Sequence, residues 1–217
     1  MFSVNLLNRK IGQPGRRIIL GLLFAGSFGL AACSGNWTTD YEEPLDPATS
    51  KGWRISAIAV SVPEDLSVSD NNSLAPNADI VWHGDPPGDR RAQVKAIVET
   101  AARSATRGLS GSTSAQLNIV VSEFHGVTPA AVARAPGAVH NITLTAQVTN
   151  ARTNVPLTGP VQIRADLPAL VGAAAFSTGE QLGEIQKSRV TAHITETLRG
   201  WLGVGPDNRG TFSSAGR

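Results

Sequence analysis

The chain has 217 residues, of which 41% are hydrophobic, 5% aromatic and 17% charged, and it holds a single cysteine. This length suits one ordinary domain, and one thiol excludes an internal disulfide framework or a thiolate zinc site. The formal charge of +2 is local: Arg9, Lys10, Arg16 and Arg17 sit in a stretch without acids, so the chain beyond residue 32 carries −2 and no basic run suited to nucleic acid.

The first 32 residues read as a secretory leader. A basic start is followed by an apolar stretch from Ile18 to Leu30 and then by Leu30-Ala31-Ala32-Cys33. The apolar stretch is shorter than the roughly 20 residues a permanent span needs, and Gly21, Gly26 and Gly29 interrupt it. Small Ala31 and Ala32, with Leu30 as the apolar residue three positions before the cut, match the cleavage motif of a lipoprotein signal peptidase. Cys33 would then carry a diacylglyceryl thioether and an acylated amine (a palmitate-type chain), and two or three chains hold a protein on a bilayer. Arg16-Arg17-Ile18-Ile19-Leu20 partly resembles a twin-arginine signal, but Gly15 and Ile19 depart from it, so unfolded export is the expected route.

Residues 33–52 are polar and aperiodic and read as a lipidated flexible tether. From Trp53 to Val62 the residues alternate as in a strand, and Pro63 ends it. A loop and a short apolar piece, 78–82, follow. Asp85-Pro86-Pro87-Gly88-Asp89 opens a helix whose stripe is Ala92, Ile97, Val98, Ala101, Ala105 and Leu109. Strands are expected at 117–124, 141–148 and 161–167, with a proline-containing loop at 127–137. Ser177-Thr178-Gly179-Glu180 has capping-box spacing ahead of the stripe Leu182, Ile185, Val190, Ile194, Leu198, Trp201, Leu202. Residues 204–217, rich in Gly and Ser, read as a disordered tail.

The predicted fold is α+β: a mixed, mostly antiparallel sheet of about four strands against two amphipathic helices, in the order β-α-β-β-β-α. The single domain spans 53–203. The strand–helix–strand crossover calls for a parallel first pair, and the shorter connections for antiparallel ones.

The run Ala78-Asp79-Ile80-Val81-Trp82-His83-Gly84-Asp85-Pro86-Pro87-Gly88-Asp89-Arg90, with Gln93-Val94, resembles a family of uncharacterised alphaproteobacterial lipoproteins. So do Val62 to Ser69, Phe124-His125, Pro136-Gly137 to His140, and Ala165 to Ala169. The resemblance implies an envelope lipoprotein and no particular activity. In element order the chain is also similar to transporter-auxiliary and assembly lipoproteins of the outer membrane.

Chemistry is sparse. His83, His125 and His140 stand near strand ends and are weak candidates for a metal site with Asp85 or Glu123; none has close ligand spacing, so separate hydrogen-bonded histidines, and no metal, are expected. His193 is expected to pack against the sheet edge. Arg90 and Arg91 near a helix start suggest an anion site, but the segment lacks a phosphate-loop Lys-Ser/Thr, and a turn with a helix cap accounts for it. Gly108-Leu109-Ser110-Gly111-Ser112 misses the nucleophile-elbow pattern at its last position. The expectation is a protein that is not an enzyme, binds no cofactor and no nucleic acid, is held on the membrane by its lipid, and contacts an envelope protein. Ser34 after Cys33, rather than an aspartate, points to the periplasmic face of the outer membrane. A small-ligand or lipid carrier is the first alternative and a metal-dependent enzyme the second.

Overall fold

The computed structural model describes residues 34–176 and 182–215, all within one compact unit, 32–217. Its elements in chain order are β1 (Ser34–Asp40), α1 (Pro47–Lys51), β2 (Trp53–Ser61), β3 (Val68–Ser69), β4 (Ile80–Val81) and α2 (Arg90–Thr106). There follow β5 (Thr113–His125), α3 (Pro129–Arg134), β6 (Val139–Asn150), β7 (Val161–Ala165), β8 (Leu167–Pro168), α4 (Ala173–Phe176), α5 (Leu182–Trp201) and β9 (Gly210–Ala215).

The predicted β-α-β-β-β-α frame is present as β2, α2, β5, β6, β7 and α5. β2 pairs with β5 in parallel, and β5–β6 and β6–β7 are antiparallel. The sheet itself is larger than expected, with nine strands among the described residues instead of about four: seven in the order β3-β4-β5-β6-β7-β1-β9, with β2 paired to β5 and β8 to β6 off that path. β2 and β4 lie one after the other along the side of β5 that β6 does not use.

One face of the sheet carries the core. Leu117, Ile119 and Val121 of β5, Ile142, Leu144, Ala146 and Val148 of β6, and Ile163 of β7 are all buried. The period of two puts them on one side, under the stripes of the helices. Val94, Ile97, Val98, Ala101 and Ala105 of α2 and Val190, Ile194, Leu198 and Trp201 of α5 are likewise buried. Small residues on α2 let α5 come close enough for the Thr195 hydroxyl to reach the Ala101 carbonyl at 3.4 Å. The opposite face is polar, with Gln116 donating to Asn118 at 2.6 Å and Asn118 to Thr149 at 3.1 Å.

Two expected flexible segments are part of the fold instead. Residues 33–52 were expected as a tether, yet Ser34–Asp40 forms β1, paired with β9 along 34–39 and with β7 at Thr39 and Asp40. Residues 204–217 were expected as a disordered tail, yet Gly210–Ala215 forms β9, on the outer side of β1. The two strands satisfy each other's backbone groups, so neither needs a strong pattern of its own. Tyr41 ties the segments together: it is buried, and its hydroxyl donates to Asp207 at 2.9 Å, while Leu45 N–H donates to the Trp201 carbonyl at 2.8 Å. Burial and the hydrogen bond to Asp207 push the Tyr41 pKa up to about 12.

One smaller difference remains. The loop expected at 127–137 contains α3, capped by Thr128, whose hydroxyl accepts from Ala131 N–H at 3.0 Å, with Pro129 in the first turn. The capping box at 177–180 lies outside the described residues.

Candidate functional site

The most chemically loaded region lies where β4 ends. Trp82 is buried edge-on against Phe124, with ring centroids 5.5 Å apart, and its indole N–H donates to Asp85 Oδ2 at 2.7 Å. Two glycines make room for it. A Cβ on Gly84 would lie 2.2 Å from the indole, and one on Gly126 would lie 2.9 Å from it. Gly183, in the first turn of α5, approaches Gly84 so closely that an added Cβ would meet the Gly84 carbonyl oxygen at 3.0 Å. Asp85 also accepts from Lys187 Nζ of α5. Burial alone would raise the Asp85 pKa, but the hydrogen bonds from Lys187 and Trp82 outweigh it and hold the carboxyl below its ordinary value.

The arginines at the start of α2 are committed to the scaffold. Arg90 is buried and donates to Asp70 at 2.6 Å, to Gln93 at 2.8 Å and to the Pro86 carbonyl at 3.1 Å. Arg91 donates to the carbonyls of Pro63, Glu64 and Leu66. Asp89 caps the helix by accepting from Ala92 N–H at 3.1 Å. The turn-and-cap reading of 85–91 therefore accounts for these charges.

Of the three histidines singled out from sequence, two share a cavity. His83 and His140 line a chamber of about 170 Å³, together with Trp82, Val127, Pro129, Val132, Leu182 and Gln186. His125 is not in that lining; its Nδ1 lies 3.0 Å from the Ala78 carbonyl oxygen. Among the described residues no three metal-capable side chains converge. His193 meets the sheet at β1, with Nε2 3.0 Å from the Thr39 hydroxyl.

His140 is 1% exposed, and its Nε2 lies 2.8 Å from Gln186 Oε1. Gln186 donates its amide to the Leu170 carbonyl at 3.1 Å, which orients Oε1 as the acceptor. His140 therefore carries its proton on Nε2, and Nδ1 is a bare lone pair. That Nδ1 is buried with no partner among the described residues, as is His83 Nε2. Burial, opposed by the Gln186 hydrogen bond, pushes the His140 pKa down to about 4. Burial and then Arg90 lower that of His83.

Beyond His83, Gly84 and Gly183 the chamber meets a wider cleft of about 650 Å³, lined also by Asp85, Glu184, Lys187 and Ser188. Sequence reasoning missed Gln186, Lys187 and the chamber. The signal for Gln186 was present: it stands four residues after Leu182 and four before Val190, a polar residue within an apolar stripe.

Cys33, with Leu30, Ala31 and Ala32, lies outside the described residues. No helix among the described residues is long and apolar enough to cross a membrane.

The chain belongs to DUF6778, a family of unknown function, which matches residues 53–217. No curated protein matches it. Among solved structures it is similar to a PelC dodecamer from Paraburkholderia phytofirmans, at 11% identity over 76% of this chain and 98% of that chain, with a TM-score of 0.34. It is similar also to XCC0632 from Xanthomonas campestris, a DUF330 protein, at 12% identity over 76% of this chain and 93% of that one, with a TM-score of 0.39. A candidate lipoprotein from Caulobacter crescentus CB15 is similar at 12% identity over 74% and 97%, with a TM-score of 0.31.

Proposed function

We propose that this chain is a lipid-anchored envelope lipoprotein, of the alphaproteobacterial kind its motifs resemble, and that it acts as a non-catalytic binding subunit. The leader is cleaved after Ala32, and Cys33 is acylated and holds the domain on the periplasmic face of the outer membrane. The observation that carries this reading is the order of basic start, apolar stretch and Leu30-Ala31-Ala32-Cys33. The fold supports a close attachment: β1 begins at Ser34, the residue after the lipidated one, so little slack separates the anchor from the sheet. The end of the sheet holding Ser34 and its partner Ala215 then faces the bilayer.

An envelope protein is the partner in this reading. β2 has β5 as its hydrogen-bonded neighbour, and Arg54, Ser56, Ala57, Ala59 and Ser61 are exposed along it. Such an edge accepts another strand readily, and small side chains do little to block it.

Membrane fractionation and lipid labelling of the wild type beside Cys33→Ala test the anchor. The wild type is expected to pellet with outer membranes and carry label, and Cys33→Ala to do neither. An unmodified thiol on the mature wild-type N-terminus, or a Cys33→Ala form still labelled and membrane-bound, overturns it.

A further inference from the structure

Between β2 and the last turn of α2 runs an open groove of about 290 Å³. Ile55 and Ile58 of β2, with Leu109, line it on one side, and Arg103 and Arg107 of α2 stand on the other. Among the described residues the only strand paired with β2 is β5, so the outer main chain of β2 is an open edge. The turn at 110–111 covers the start of that edge, where Gly111 N–H donates to the Trp53 carbonyl at 2.8 Å. A bulge follows between Ile55 and Ala57, and over 57–61 the register is regular. Ala57, Ala59 and Ser61 are exposed there, and such small side chains leave the main chain accessible.

Charge selects what can lie on this edge. The chain beyond residue 32 carries −2, yet Lys51, Arg54, Arg103 and Arg107 are all exposed around the groove and the start of β2. Glu99 accepts from one Nη of Arg103 at 2.9 Å, which leaves that guanidinium further donors. Among the described residues Lys51, Arg54 and Arg107 have no ion-pair partner. Spacing narrows the occupant further. Arg103 and Arg107 are four residues apart on a helix, so about 6 Å apart along its axis. In an extended segment alternate side chains share a face and recur at about 6.6 Å. Two carboxylates at i and i+2 of an added strand would therefore match two guanidiniums at i and i+4 of the helix.

The place of the groove separates it from the anchor. β2 and β5 begin here, level with the end of β6 and the start of β7. β1 meets the last residues of β7, at Thr39 and Asp40, and its first residue, Ser34, lies beyond them at the opposite end of the sheet. Headgroups of the bilayer that holds Cys33 are thus far from Arg103 and Arg107, and a protein segment is the better occupant.

We propose that the β2 edge takes up an extended acidic segment of a partner protein. Its main chain pairs with β2 past the bulge, and two carboxylates two residues apart sit on Arg103 and Arg107. This rests on the reading of the chain as a binding subunit with an open β2 edge, and it names the chemistry of the partner.

The test uses the full chain in detergent micelles and fluorescein-labelled, threonine-rich peptides of ten residues, followed by fluorescence anisotropy. The probe carries two glutamates at positions two apart. One control carries them adjacent, on opposite faces of a strand, and a second has lysines in their place. The probe should bind saturably, at least fivefold tighter than the adjacent-glutamate peptide and at least tenfold tighter than the lysine peptide. It should also slow hydrogen exchange over 57–61. The double variant Arg103→Glu, Arg107→Glu should reverse the preference toward the lysine peptide. No saturable binding of the probe by folded wild-type protein overturns the proposal. Equal affinity for the two glutamate peptides, or protection away from β2, does the same, and these comparisons stand even if the double variant fails to fold. Self-association of the wild type that the double variant abolishes would give the edge to a second copy and also overturns it. If an envelope protein crosslinks in cells through another face while the probe does not bind, the binding-subunit reading stands and the groove assignment alone falls.

Discussion

Two buried polar clusters meet on β6, at His140 and at its neighbour Asn141, and they differ in how fully they are paired. Asp166, 2% exposed, accepts from the Asn141 amide at 2.6 Å, from Ile142 N–H at 3.2 Å and from Thr38 N–H at 3.1 Å. It joins β1 to β6 and leaves none of those donors stranded. His140, equally buried, pairs one nitrogen with Gln186, and its other nitrogen has no partner among the described residues. A saturated buried group acts as a staple, whereas a half-saturated one leaves a polar atom desolvated at a cost to stability.

The strongest way to break the comparison is to remove the staple. Asp166→Ala strands two backbone N–H groups and one amide, each a hydrogen bond to a carboxylate, and is expected to cost about 3–5 kcal/mol. Denaturant unfolding measures this, and hydrogen exchange should show β1 and β9 losing protection first.

The next effect is a pH dependence centred on His140. Its folded pKa, about 4, lies below the ordinary 6.5, so the unfolded chain binds more protons between those values. Stability is therefore full above pH 6.5 and falls as the pH drops toward 4, by about 3 kcal/mol at 1.36 kcal/mol per pH unit. Burial lowers His83 and His193 as well, which adds to the same trend. His140→Phe should flatten most of the slope, and a slope unchanged in that variant would assign it to the other histidines.

Lys187→Met probes the rim of the site. The pair it forms with Asp85 is partly exposed, with the lysine side chain 41% accessible, so the expected loss is about 1 kcal/mol at most. The Asp85 pKa should rise, because its burial remains while its main stabilising donor is gone. The smallest effect belongs to Arg103→Ala. This removes an exposed i,i+4 pair with Glu99, and the change should stay within about 0.5 kcal/mol.

Much of the frame was legible beforehand because its signals are local. Alternation in 117–124 and 141–148, the α2 and α5 stripes, and the crossover between β2 and β5 each arise from residues close in the chain. The α2 cap at Asp89 is equally local. The site was legible in part: His83 and His140 stood out as chemistry-bearing residues, but the expectation grouped them with His125. Their convergence depends on Gly84, Gly126 and Gly183 letting α5 and the β4–α2 turn close around Trp82.

What the residues determined unaided was the alternation and stripe pattern of a β-α-β-β-β-α core. The tertiary structure alone decided that the segments flanking this core become β1 and β9. Their pairing joins positions some 170–180 residues apart, such as Ser34 with Ala215, and neither has enough hydrophobic periodicity to announce a strand. It alone also decided that a histidine on β6 loses solvent on one nitrogen and gains Gln186 of α5 on the other. Burial and partner choice are properties of surfaces brought together from distant parts of the chain, so no short window of sequence contains them.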